Sequence, residues 1–174
     1  MIAEGNGMAL VLSGPSGGGK TSVCDALQER RTDVEFSISA TSRSPRPGEV
    51  DGMHYHFVSR DRFREMARNG DLLEWAEVHG ELYGTPLSNL GACTDSGRTL
   101  LLDIDVQGAR QVRRNLESSV LVFLLPPSAE RLLERLRRRG SEDTDALQRR
   151  MRSALSELEA VGEFDYALVN EDLR

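Results

Sequence analysis

An α/β fold built on a parallel, doubly wound sheet is what this sequence predicts, and three observations carry that expectation. Short apolar runs alternate with amphipathic helical stretches along most of the chain, the pattern of strands joined by crossover helices. The alternation is interrupted from Glu35 to about Tyr83 by short segments broken at Pro45, Pro47, Gly48, Gly52 and Gly80, which suggests an insertion made of hairpins. The length, 174 residues, suits one domain with a real core.

Each element has its own signal. Met8 to Ser13 is an apolar run ending in the glycine-rich stretch Gly14 to Gly19, and Thr21 to Arg31 then reads as a helix. Within the insertion, Ser59 to Asn69 is the probable helix. Chain order resumes with a helix near Pro86 to Thr94, a strand at Arg98 to Ile104, a helix from Val106 to Asn115 and a strand at Val120 to Leu125. Helices are expected from Ser128 to Arg138 and from Thr144 to Val161, and a last strand from Tyr166 to Val169. In such sheets ligands bind beyond the carboxyl ends of the strands, so the insertion belongs at that edge.

Composition narrows the function classes. With 39% hydrophobic and 29% charged residues the chain is globular rather than disordered. Its longest apolar runs, such as Val120 to Pro127, are far shorter than the roughly 20 residues of a membrane helix, so no membrane partner is expected. Met1 to Gly7 lacks the features of a secretory signal, which points to the cytoplasm, where Cys24 and Cys93 would be reduced thiols. The formal charge, 22 − 28 = −6, argues against nucleic acid as a partner. Of the 22 basic residues 21 are arginine, and Lys20 is the only lysine. A position that keeps lysine amid such arginine usage is one where a compact ammonium does what a planar guanidinium cannot.

Gly14-Pro15-Ser16-Gly17-Gly18-Gly19-Lys20-Thr21 matches the phosphate-binding loop G-x-x-x-x-G-K-[ST] in full, with an apolar strand before it and a helix after it. Such glycines let backbone N–H groups converge on phosphate oxygens, while the lysine reaches the transferring phosphate and the threonine hydroxyl helps hold Mg²⁺. A nucleoside triphosphate is therefore an expected ligand. A second stretch, Ser37 to Gly52, places Arg43 and Arg46 in a proline-stiffened loop followed by Tyr55. Arginine forks and a phenol suit a second phosphate, although a solvated basic turn would read the same way.

Taken together these motifs resemble the guanylate kinases. The likeness runs from Met8 to Leu173: Gly-Pro-Ser-Gly-x-Gly-Lys at 14 to 20, Ser-x-Ser-x-Thr-x-Arg-x-Pro-Arg-x-Gly-Glu at 37 to 49, Leu-Glu-Trp-Ala at 73 to 76, Tyr-Gly-Thr at 83 to 85, Leu-Asp-Ile-Asp-x-Gln-Gly at 102 to 108 and Pro-Pro-Ser at 126 to 128. The resemblance implies a P-loop core (1–34, 86–136 and 153–174), a mixed β GMP-binding insertion (35–85) and a helical lid (about 137–152). It implies ATP and GMP as partners, Mg²⁺ bound with ATP, and a monomer or weak homo-oligomer. Gly14 to Gly19, Lys20, Thr21, Ser22 and Asn170 match the ATP side, with Thr21 toward the metal. Ser39, Arg43, Arg46, Tyr55 and Tyr83 match the residues that hold the GMP phosphate, and Glu74, Thr85 and Asp105 the guanine readers. Guanine offers donors at N1 and N2, which carboxylates accept. Asp103, two residues before Asp105 and on the same face of an extended strand, is read as an outer partner of Mg²⁺ or of the loop lysine. Arg135, Arg139 and Arg150 match the lid arginines that meet the phosphates, and with Lys20 and Arg43 they form the expected catalytic set.

Other features have plainer readings. Arg131 to Arg152 holds eight arginines, but interleaved carboxylates weaken a nucleic-acid patch, and Arg137, Arg138, Arg149 and Arg152 suit solvated surface. His54 and His56 lack a third ligand at metal spacing, and Met53, Phe57 and Trp75 suit packing within the insertion. Two departures from the family stand out: Gly18 occupies a position where a larger residue is common, and the family's further helix after Val169-Asn-Glu-Asp-Leu173 is not in this sequence. Two other functions compete, a silent module of the same fold that binds a phosphopeptide and a P-loop kinase for a small molecule such as a ribose bisphosphate. The intact loop and lid arginines oppose the first, and the set Glu74, Thr85 and Asp105 opposes the second.

The solitary lysine gives a direct test. Lys20→Arg keeps the charge but should lower turnover roughly a hundredfold or more, because the fork cannot take the position of the ammonium. Steady-state phosphoryl transfer measures it, and near-normal turnover would make the lysine an accident of composition.

Overall fold

The computed structural model describes residues 8–78, 80–138 and 144–171. Strand β1 (Met8–Ser13) lies at the centre of a five-stranded parallel sheet, between β7 (Thr99–Asp103) and β8 (Ser119–Leu125). The edge strands are β2 (Val34–Phe36) beside β7 and β9 (Tyr166–Val169) beside β8. Period-two alternation sends side chains to both faces, and both are covered. Ala9 and Val11 of β1 join Leu100 and Leu102 of β7 against Leu90 and Cys93 of α3 (Leu87–Asp95) and Ala109 and Val112 of α4 (Val106–Asn115). Leu12, Leu101, Val122 and Leu124 point the other way and pack on Cys24, Val23 and Leu27 of α1 (Lys20–Arg30). The doubly wound expectation holds.

Beyond the sheet, α5 (Ala129–Arg138) packs on α6 (Thr144–Leu158) through Leu132, Leu136 and Ala154. The expected helix to Val161 ends earlier, at Leu158, and tightens into a 3₁₀ turn over Glu159–Glu163. That turn seats Ala160 against Val106, Phe123 and Phe164.

The insertion forms a second sheet of order β4-β3-β6-β5, built from β3 (Ala40–Thr41), β4 (His56–Phe57), β5 (Leu72–Val78) and β6 (Glu81–Pro86). Helix α2 (Arg60–Asn69) starts at Ser59, whose hydroxyl accepts from the Arg62 amide, and stops at Gly70 in the left-handed region. Its Phe63 is fully buried against Ala40 and Leu82.

Three expectations need correcting. Residues 35 and 36, assigned to the insertion, lie in β2 of the main sheet. The strand is only three residues long, and its partners Thr99 to Leu101 lie far along the chain, so no local pattern marks it. Only β5 and β6 form an antiparallel hairpin, whereas β3 and β4 pair parallel across a long loop. Met53, read as a packing residue, is 68% exposed, on a turn where Gly52 takes φ 74°.

The two sheets are fastened where β5 crosses α4. The Gln111 side chain accepts from the Trp75 amide at 3.2 Å and donates to the Trp75 carbonyl at 2.6 Å, and Asn115 donates to the Leu73 carbonyl at 2.9 Å. Leu73 itself belongs to the core of the main sheet. Removing the clamp with Gln111→Ala should cost about 1 to 2 kcal/mol in urea denaturation, and an unchanged midpoint would mean solvent replaces it fully.

Candidate active site

The loop between β1 and α1 owes its path to glycine. Gly14 (φ 136°) and Gly19 (φ 90°) sit in the half of backbone space that side chains avoid. A Cβ on Gly14 would collide with the Leu124 carbonyl oxygen, and one on Gly19 with Asn170 Nδ2. At Gly18 the backbone is ordinary, but a Cβ would lie 2.9 Å from the Pro15 carbonyl oxygen, which already accepts from the Gly18 amide at 2.8 Å. The outer carbonyls are occupied as well. Lys20 Nζ donates to the Gly14 oxygen at 2.8 Å, and Asn170 Nδ2 to the Gly18 oxygen at 2.9 Å. Arg135 Nη1 reaches the Gly17 and Gly18 oxygens at 3.4 Å, while its Nη2 reaches the Asn170 oxygen at 3.3 Å. Helix α1 begins directly after Gly19, with no side-chain cap and no acidic residue in its first turn to offset its positive end.

One cavity of about 310 Å³ joins this loop to the insertion. Gly14, Ser16, Gly17, Gly19, Lys20 and Thr21 border it on one side, and Ser39, Tyr55, Glu74 and Tyr83 on the other, with Asp103 and Asp105 at the end of β7 between them. Pro15, Gly18, Ser22 and Thr85 do not border it. Thr85 is fully buried, and its hydroxyl donates to Glu74 Oε1 at 2.7 Å. Asp105 caps α4, accepting from the Gly108 amide at 2.8 Å, with Gln107 Nε2 at 3.2 Å on its other oxygen.

Glu74 is the costly group of the site. It is 3% exposed, and a side chain on Gly108 would collide with its Oε2. Burial, opposed by the Thr85 bond and assisted by the Asp105 charge, pushes its carboxyl up to about 7. Tyr55 also has a raised pKa, chiefly through burial and then the Asp103 charge, so its phenol remains a donor.

The arginine loop is already engaged. Arg43 donates through Nη1 and Nη2 to Glu49 at 2.8 and 2.9 Å, through Nε to the Tyr83 hydroxyl at 3.1 Å and through Nη1 to the Ser44 carbonyl at 2.7 Å. Its guanidinium lies 5.4 Å from the Tyr55 ring centre. Glu49 also accepts from the Arg46 amide at 2.6 Å, and the Arg43 bonds hold its carboxyl down at about 2. The Arg46 side chain is exposed and Arg150 is half-buried on α6, while Arg139 lies outside the described residues. Among the described residues no cluster of His, Cys, Asp and Glu is arranged to hold a metal ion, and His54 accepts from the Val50 amide inside its own turn. No described helix is long and apolar enough to cross a membrane.

Sequence reasoning passed over Glu157, which borders the same cavity from α6. A carboxylate in an arginine-rich helix carries no mark of where it points.

A glycine turn of this kind, at the carboxyl edge of a doubly wound parallel sheet, defines a P-loop nucleotide-binding fold. The comparisons make the assignment narrower, since the guanylate kinase family model matches residues 6–174, and the chain belongs to the guanylate kinase family. It is 43% identical to the guanylate kinase of Desulfitobacterium hafniense (strain Y51) over 99% of this chain and 86% of the relative. It is 49% identical to that of Alkalilimnicola ehrlichii over 95% of this chain and 82% of the relative. The crystal structure of guanylate kinase from Anaplasma phagocytophilum superposes with a TM-score of 0.78 at 35% identity, covering 97% of this chain and 79% of the other.

The displaced pKa of Glu74 has a consequence for stability. A carboxyl whose pKa is higher in the folded chain binds its proton more tightly there, so its contribution falls as pH rises from the ordinary carboxylate range to about 7. Glu74→Gln should therefore stabilise the protein without ligand by about 1 to 3 kcal/mol at pH 8, with the gain disappearing near pH 4. Thermal denaturation of both proteins across that range measures it, and a gain independent of pH would refute the ionisation account.

Proposed function

We propose that the protein transfers the γ-phosphoryl group of ATP to GMP, and to dGMP, giving ADP and GDP. The observation that carries this reading is a single cavity bordered both by the phosphate loop and by Glu74 and Asp105. Two phosphate-bearing ligands meeting there would place donor and acceptor side by side, and phosphoryl transfer is mostly positioning and charge stabilisation.

In this reading the amides of Gly14 to Thr21, other than the position of Pro15 and the Gly18 amide already bonded to the Pro15 carbonyl, and the end of α1 bind the ATP phosphates, with Ser22 in the first turn behind them. Lys20 leaves the Gly14 carbonyl for the transferring group. Asn170 and Arg135 shape the loop from its carbonyl side, and Arg135 joins Arg139 and Arg150 over the phosphates once the lid segment moves. Thr21 and Asp103 border the cavity together and offer hard oxygen ligands, which fits Mg²⁺ arriving with its nucleotide rather than held by a protein cage. When bound, the ion would neutralise charge on the phosphates.

Ser39, Tyr55, Tyr83, Arg43 and Arg46 take the GMP phosphate. Arg43 spends most of its N–H groups on Glu49, Ser44 and Tyr83, so it acts as a fixed cation while Arg46, exposed and free to swing, closes over the phosphate. Glu74 and Asp105 accept from guanine N1–H and N2–H, and Thr85 keeps Glu74 oriented through its hydroxyl. Guanine donors supply the partners that a buried carboxylate lacks, so base binding relieves the desolvation of Glu74.

Adenine presents an acceptor at N1 and no 2-amino group. A site built for those donors rejects a base lacking them by roughly 10⁴-fold or more. A coupled ADP-release assay with GMP, dGMP, AMP, CMP and UMP should show turnover with the guanine nucleotides alone. Asp105→Asn should lower GMP kcat/KM by about 10-fold to 100-fold with little change in the KM for ATP. Equal turnover of GMP and AMP, or no turnover at all, would overturn the proposal, the second result favouring a phosphopeptide-binding module.

A further inference from the structure

Glu157 stands at the end of α6, just before the helix tightens into its 3₁₀ turn, and none of the roles above uses it. Its half-buried side chain borders two openings at once. One is the cavity that contains Lys20 and Asp105, and the other is a wider cleft of about 650 Å³ along α4 and α6. One helical turn back, Ser153 Oγ donates to Glu157 Oε1 at 3.0 Å. On its loop side the carboxylate shares the cavity with Ser16 and Lys20 of the glycine turn and with Asp105, the Lys20 charge attracting it and the Asp105 charge opposing it.

Backbone amides of a phosphate loop are donors meant for an anion. Here a carboxylate of the chain itself borders the cavity those amides line, within the attraction of the loop lysine. That carboxylate comes from the helix at the far end of the lid segment. Nucleotide phosphates entering the loop would face a like charge at short range in a partly buried site, an arrangement that is strongly unfavourable. We propose that Glu157 is a resident competitor for phosphate: it docks α6 on the phosphate loop in the absence of nucleotide, and the triphosphate must displace it. Its release then couples loop occupancy to movement of α6. Glu157 thus acts on the position of the lid, not on the reacting atoms. Ser153 gives the displaced carboxylate a donor on its own helix, so leaving the loop's cavity does not strand it. The inference rests on the proposal that the loop binds the phosphates of ATP.

Calorimetric titration of the full chain with inorganic tripolyphosphate, with and without Mg²⁺, tests it, since that probe engages the loop without a base. Glu157→Gln keeps the shape and removes the charge, and should bind tripolyphosphate roughly tenfold more tightly. Glu157→Asp, one methylene shorter, should shift affinity in the same direction by less. Glu159→Gln, which removes the same charge two residues on from an exposed position, should stay within about twofold of the unmodified protein. Unchanged or weaker binding by the Gln variant overturns the proposal, and weakening confined to Mg²⁺ would assign Glu157 to the metal instead. If the Gln variant fails to fold, the Asp variant decides by whether its affinity rises. An unmodified protein that binds no tripolyphosphate refutes the ATP reading and this inference with it, whereas binding that is indifferent to residue 157 refutes the inference alone.

Discussion

The Leu124 carbonyl oxygen lies where a side chain on residue 14 would have to be, and the rest of the site follows from that close approach. Because β8 runs so near the end of β1, the chain must leave the sheet through a glycine, and it turns immediately into the loop. The loop carbonyls are then taken from behind. The Gly14 oxygen goes to Lys20, that of Pro15 to the Gly18 amide, and those of Gly17 and Gly18 to Arg135 and Asn170. A peptide turn whose oxygens face one way and are satisfied there presents its N–H groups the other way. Affinity for anions is thus a property of backbone direction, fixed by packing between two core strands and by two side chains from elements far along the chain.

That arrangement explains how an acidic protein can be suited to strongly anionic ligands. The net charge of −6 is spread over the surface, where solvent and salt screen it. Around the cavity the relevant fields are short-ranged: the α1 terminus, Lys20 and the loop amides on one side, and on the other two phenols, Tyr55 and Tyr83, with Arg43 behind them. Three of the carboxylates near them have fixed partners. Glu49 is tied to Arg43, Asp105 to the first turn of α4, and Glu74 to Thr85. Glu74 is carried at a cost, since burial raises its pKa to about 7. In the proposed reading, a group that destabilises the chain without a ligand and would find donors in the right base turns stability into selectivity.

Much of this was legible in the sequence because it is local. The apolar strand, the glycine turn and the helix after it are contiguous, so β1, the loop and α1 could be placed within a residue or so. Asp103 and Asp105 do border one cavity, as their spacing suggested. What escaped was long-range. Strand β2 is defined by its parallel partner β7, and its three half-buried residues have no pattern of their own. Gln111 holds Trp75 from 36 residues away, and Glu157 borders the loop's cavity from near the other end of the chain. Thr85 was placed among the base readers by resemblance, yet its hydroxyl is turned onto Glu74. Such a distinction, between touching a ligand and orienting the residue that does, exists only in three dimensions.

The two halves of the cavity are also built with different stiffness, which bears on how a transfer reaction would exclude water. On the base side β5 is sewn to α4 by both polar atoms of Gln111 and by Asn115, and Leu73 is shared with the main core, so Glu74 and Asp105 keep a fixed separation. On the lid side α5 and α6 meet mainly through Leu132, Leu136 and Ala154, with Leu147 and Met151 beside them, a small cluster set apart from the main core. A small apolar contact shifts more readily than a hydrogen-bonded seam sharing the core. In the proposed reading base recognition would therefore be preorganised, and closure would fall to the arginine-bearing helices. Their starting position is set in part by Arg135 on the loop carbonyls, while Glu157 of α6 borders the loop's cavity. The lid is thus poised by the same backbone turn that its ligand would bind.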